Sequence, residues 1–204
     1  MSGLPAAERA GIRRGANRAL REPWSNGMWG MALFLASEAA LFGVLIASYF
    51  YLRFDAERWP PAGVAEPRVL VPLLLLALLL ATGVPMVLAA ASARSGLRGA
   101  TVRWLAVALV LQAAYLVLAL LLFRDDLQDL SPRDSAYASA YFTLLGLHHA
   151  HVALGLLLVA FVLARTSRGL TAYRVRGVQA VALYWLVVAA LGVAVTITVV
   201  SPSL

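Results

Sequence analysis

Glu38, His148, His149 and His151 could do chemistry in an unusual place, because each falls inside a long apolar stretch of the chain. A carboxylate at the centre of a bilayer costs roughly 3 kcal/mol on insertion scales, so Glu38 has to face protein, hydrate, pair or take up a proton. Imidazole is a natural partner: it hydrogen-bonds in either protonation state and exchanges protons near neutral pH. His148 and His151, three residues apart, share one helix face, whereas His149 points about 100° away. Glu38 lies about ten residues into a helix entered from one side of the membrane, and His148 about ten into a helix entered from the other. At about 1.5 Å per residue both reach the midplane, where they can meet.

Three chemistries compete for this cluster. A metal or haem site needs three or four ligands, or axial ligands usually on facing helices, and here every histidine lies on one short segment. Proton handling by Glu38 with His148 or His151 fits the residue types. So does a plain Glu–His hydrogen bond that fixes helix packing or orients a lipid headgroup or acyl chain. The residues alone leave these alternatives open.

The elements that must position these groups are membrane spans. The 204 residues are 62% hydrophobic and 13% charged, with a mean hydropathy of +0.82, outside the range of a soluble domain. Apolar stretches over about 28–52, 69–93, 102–123, 136–163 and 178–200 are each long enough to cross a hydrocarbon core. They predict an all-α bundle of five transmembrane helices forming a single domain over 27–204. Ahead of it, residues 1–26 form a basic arm carrying Arg9, Arg13, Arg14, Arg18 and Arg21, which as an amphipathic helix would lie against anionic head groups and as a frayed tail would not. The first apolar run is too long for a signal-peptide core, so it is expected to remain in the mature chain. Trp24, Trp29, Tyr49, Tyr51 and Arg53 edge this span at its two interfaces. Pro85 lies deep enough in the second span to kink it. Ala32, Ala36 and Ala40, and Ala39, Gly43 and Ala47, recur at four-residue spacing, which predicts that the first span is central and tightly packed.

Charge placement predicts orientation and excludes several function classes. All 17 basic residues are arginines at or beyond the helix ends, a pattern that sets topology and argues against a nucleic-acid-binding face. The N-terminal arm and the loops Arg94–Arg103 and Arg165–Arg176 hold twelve of them against Glu8 and Glu22, while the opposite side holds five against seven acids. The positive-inside rule therefore puts the N-terminus in the cytoplasm and the C-terminus outside, in periplasmic or extracellular space. The absence of cysteine removes disulfides, thiolate zinc sites, covalent haem attachment and cysteine-ligated copper or iron–sulfur centres. Three histidines are too few for a membrane di-iron oxygenase, no Gly-x-Ser-x-Gly motif is present, and no inverted repeat suggests a transporter.

Two stretches then point to a family. Trp29-Gly-Met-Ala-Leu-Phe-Leu-Ala-Ser-Glu38-Ala-Ala-Leu-Phe-Gly43 resembles the segment of haem-copper oxidase subunit III built around a membrane-embedded Ser-Glu. Tyr141-Phe-Thr-Leu-Leu-Gly146-Leu-His148-His-Ala-His151-Val-Ala-Leu-Gly155 is similar to that family's Phe-His-Gly-Leu-His-Val-x-x-Gly, with His148 and His151 on its two histidines. The resemblance covers roughly residues 24–200 and is to the short five-span type found in cytochrome c and quinol oxidases, whose orientation matches the one read from charge. It implies a non-catalytic subunit with no cofactor of its own in the bacterial cytoplasmic membrane, packed against the large catalytic subunit I and other oxidase subunits. Haem and copper would sit in those partners; this chain would bind phospholipid and help sustain proton uptake and turnover stability. The implied proton-handling or lipid-binding residues are Glu38, His148 and His151, with Gln112, Tyr184 and Trp185 as structural polar and aromatic positions.

The chain also departs from that pattern. Where the family has Gln-x-x-Glu-Tyr it has Gln112-Ala-Ala-Tyr115-Leu116, and where the family has Tyr-Trp-His-Phe-x-Asp it has Tyr184-Trp185 followed by Leu186, Val187, Val188 and Ala189. The loss of a Glu, a His and an Asp favours a stabilising, lipid-binding role over proton conduction. It leaves as alternatives a subunit-III-like partner of a nitric oxide reductase or an unrelated small membrane transporter.

Overall fold

The structure, a computed structural model, describes residues 25–203, so nearly all of the basic arm lies outside the described residues. Among the described residues, five helical segments are long and apolar enough to cross a membrane. They are α1 (Asn26–Asp55), the pair α2 (Leu70–Ala81) and α3 (Gly83–Arg94), then α4 (Arg98–Asp129), α5 (Ala136–Thr166) and α6 (Ala172–Val200), with a closing 3₁₀ turn at Ser201–Ser203. No strand occurs among the described residues. The expected all-helical, five-span architecture is therefore the one observed. The helices overrun their apolar windows: α4 has 32 residues, and at about 1.5 Å each it outreaches a hydrocarbon core of about 30 Å. Its polar first and last turns continue the helix because backbone hydrogen bonding does not stop at the lipid boundary.

Local sequence sets the helix ends. Ser25, Ser135 and Thr171 are extended N-cap residues whose side-chain oxygens accept from Met28, Ala138 and Arg174 backbone N–H groups. Between α3 and α4 the chain reverses through Gly96 at φ +73°, a left-handed conformation that a side chain would strain. The kink expected at Pro85 is present. Pro85 has no N–H to donate and its ring crowds the carbonyl of Ala81, where α2 ends. Thr82 sits at the break, donating its hydroxyl to the Leu79 carbonyl at 2.6 Å and accepting the Trp185 indole N–H at 2.8 Å.

The centre of the bundle is α6, not the first span. Of the most apolar stretch of each, 44% is buried in the last span and 11% in the first. On α1 only Leu35, Phe42 and Tyr49 are buried, a single seam at seven-residue spacing, while Ala36, Ala39, Ala40, Gly43 and Ala47 are exposed. The expectation of a central first span fails because small residues show that a backbone could be approached closely, without saying that this chain supplies the neighbour. The close approaches occur at α6. A Cβ on Gly155 of α5 would lie 2.9 Å from the Trp185 ring, and one on Gly192 of α6 would lie 2.5 Å from Leu79 and 2.9 Å from His148.

Substituting Gly192 by Ala forces these groups apart, and overpacking of this kind costs about 1–3 kcal/mol. Gly43→Ala meets nothing within 4 Å and should shift stability by less than about 0.5 kcal/mol. Thermal unfolding of the isolated chain in detergent is expected to lower the midpoint for the first variant and leave the second unchanged.

Candidate functional site

Glu38 is carried by α1 and His151 by α5, and the two meet with His151 Nε2 2.8 Å from Glu38 Oε2. His151 Nδ1 lies 2.8 Å from the Leu147 carbonyl oxygen one turn back. A carbonyl only accepts, so Nδ1 carries a hydrogen and donates it. That assignment fixes the chemistry of the other nitrogen. Either Nε2 accepts a proton from a neutral Glu38 carboxyl, or it is itself protonated and donates to the carboxylate. In both arrangements the pair holds one shared proton and has no net charge, the state least costly in lipid.

The surroundings hold the pair in place. The Phe42 ring meets the His151 ring edge-on at 5.2 Å. Tyr184 Oη donates to the His151 carbonyl at 2.8 Å, and Phe34 stacks on the Tyr184 ring at 6.4 Å. The pair nonetheless sits at the edge of the bundle, its side chains 11% (His151) and 17% (Glu38) exposed.

His148 does not join it. Its Nε2 lies 3.4 Å from Tyr115 Oη on α4, and its ring packs against Gly192. Residues three apart on a helix differ by about 60° in direction, and α5 packs against α1, α4 and α6, so that angle is enough to deliver the two imidazoles to different neighbours. His149 turns the other way and meets Phe123 edge-on at 5.4 Å. The Nδ1 atoms of His148 and His149 are buried without a hydrogen-bond partner among the described residues, as are both amide atoms of Gln112. Among the described residues no three metal-ligating side chains converge. Of the six positions singled out in sequence, then, Glu38, His151 and Tyr184 form one cluster. His148 belongs to a second, with Gln112 buried one turn before Tyr115 on α4. Trp185 locks the α2–α3 kink through Thr82.

Sequence reasoning passed over Tyr115 and Thr82. The signal for Tyr115 was its spacing from Gln112 and Asp126 along one face of α4; Thr82, next to a helix break, carried none beyond its distance from Pro85. At the loop end of this face Tyr141 Oη donates to Asp126 Oδ2 at 2.7 Å.

Replacing Glu38 by Gln keeps an N–H donor for His151 Nε2, whereas Leu removes it and leaves the nitrogen unpaired, which costs about 1–3 kcal/mol. A denaturing-detergent titration followed by circular dichroism should find Glu38→Gln close to the parent chain and Glu38→Leu unfolding earlier.

Comparison with known proteins gives a consistent result. The family model described as cytochrome c oxidase subunit III matches residues 21–201. The chain is 32% identical over 164 residues to cytochrome bo(3) ubiquinol oxidase subunit 3 of Pseudomonas aeruginosa, covering 78% of this chain and 77% of that one. It is 32% identical over 187 residues to cytochrome c oxidase subunit 3 of Bacillus sp. strain PS3, covering 89% and 84%. With cytochrome c oxidase subunit 3 of Bacillus subtilis it shares 31% over 163 residues, 78% of each chain.

Proposed function

We propose that this chain, which belongs to the cytochrome c oxidase subunit III family, is the non-catalytic third subunit of a respiratory haem-copper terminal oxidase, stabilising the large catalytic subunit while that subunit reduces oxygen to water. Haem and copper belong to the partner subunits in this reading. The relatives named as subunits of a ubiquinol oxidase and of cytochrome c oxidases support it, as does the five-span architecture. The complex sits in the bacterial cytoplasmic membrane with the N-terminus of this chain inside, an orientation supported by the asymmetry of its arginines.

The observation that carries the stabilising role is the Glu38–His151 pair. It joins the least buried helix to the bundle through one short hydrogen bond, at an edge where the Ala- and Gly-rich face of α1 is left uncovered by the described residues. That face suits a close-packed helix of a partner subunit or the acyl chains of bound phospholipid. Proton uptake is supported by the single shared proton of the pair. Against conduction stands the placing of His148 against Tyr115, which leaves it out of the Glu38–His151 pair.

Two measurements test this reading. Gentle-detergent purification through a C-terminal tag should recover a large haem-bearing subunit with the chain; a stable haem-free homo-oligomer would contradict the assignment. In the assembled oxidase, Glu38→Gln should leave the initial turnover rate unchanged. Progressive loss of activity during turnover would show that the shared proton is used in proton uptake, and an unchanged time course would leave the pair a packing device.

A further inference from the structure

The histidine cluster on the far side of α5 from Glu38 stands at the end of a cleft. Its inner compartment, with about 40 Å³ of room for water-sized molecules, lies between α2, α4, α5 and α6. Its floor is Tyr115, His148 and His149, and its walls include Leu75, Ala119 and Leu145. The outer compartment, with about 280 Å³ of such room, opens among the loops on the C-terminal side of the membrane and is edged by Glu66, Arg68, Asp129 and Tyr137. Pro72, Leu122, Asp126 and Tyr141 line both compartments, so the two adjoin across these residues.

Three observations say what this cleft holds. His148 is 3% exposed and His149 8%, and the Nδ1 atom of each lacks a hydrogen-bond partner, although a buried imidazole nitrogen left unpaired costs about 1–3 kcal/mol. The mouth carries both signs of charge, where water is retained and an acyl chain is not. The inner compartment has room for only a few water molecules. An acyl chain would fill the walls and leave both imidazole nitrogens unpaired.

We propose that this cleft is a hydrated inlet, open to the aqueous phase on the C-terminal side, that brings water to the imidazoles of His148 and His149 near mid-membrane. Water there hydrogen-bonds the two Nδ1 atoms. The inlet is separate from the Glu38–His151 pair and does not depend on the identity of the partner subunits.

The chain has no cysteine, so single thiols report on it without background. Ala119→Cys and Leu145→Cys place thiols on the cleft wall, Leu118→Cys places one at the same depth on the exposed face of α4, and Arg133→Cys marks the C-terminal side. Membranes holding the assembled complex, in each orientation, are treated with a charged, membrane-impermeant methanethiosulfonate, which needs a hydrated thiolate. The two cleft thiols should react at least about tenfold faster than Leu118→Cys, because a thiolate forms in water and not in hydrocarbon, and only when the reagent is on the Arg133→Cys side. Equal rates at Ala119→Cys, Leu145→Cys and Leu118→Cys would overturn the proposal. So would labelling of the cleft thiols by a neutral, lipid-soluble maleimide alone, which would make the occupant an acyl chain.

Discussion

A hydrocarbon interior offers no water, so each polar group that enters it must find its partner within the protein. That constraint shapes this molecule at every level. It makes the backbone helical through all five spans, and it explains why the break forced by Pro85 is paired with a hydroxyl that both donates and accepts: Thr82 gives its proton to the Leu79 carbonyl and takes one from Trp185. It also explains the Glu38–His151 pair, in which a costly carboxylate and an imidazole combine into a neutral unit with one proton between them. Because Nδ1 of His151 is committed to the Leu147 carbonyl, the pair has only one nitrogen left for chemistry.

Helix association follows a related rule. Lipid is as apolar as leucine, so spans gain little from hiding leucines against each other and more from fitting closely. The close fits here are at Gly155 and Gly192, where the Trp185 ring and the Leu79 and His148 side chains take the space a Cβ would occupy. Both involve α6, which is why the last span and not the first is the axis of the bundle. The fully buried Tyr184 and Trp185 then serve two joints at once: one hydroxyl steadies the backbone at His151, and one indole locks the kink.

The arrangement separates two kinds of polar site that the sequence had offered as one. The pair on α1 and α5 is neutral and peripheral, suited to holding a helix in place against a partner or lipid. The cluster on α4 and α5 is unsaturated and buried, with His148, His149 and Gln112 all offering unused hydrogen-bonding atoms, and it faces a cleft with a charged mouth. His149 occupies the position where the related histidine motif has glycine, so this second cluster owes part of its character to a residue outside that motif.

The sequence by itself determined the solvent, the number of spans, the sidedness of the arginines and the identity of the expensive residues, because each follows from composition or from spacing along one helix. Glu38 and His151 were legible for the same reason: depth in the membrane can be counted from either end. What only tertiary structure decided was direction. Three residues along a helix amount to a difference of about 60°, and whether that delivers His148 to Glu38 or to Tyr115 depends on which helices flank α5. The alanine and glycine stripe of α1 shows the same division, since a face that permits close approach carries no mark of whether the approaching helix is in this chain or in another.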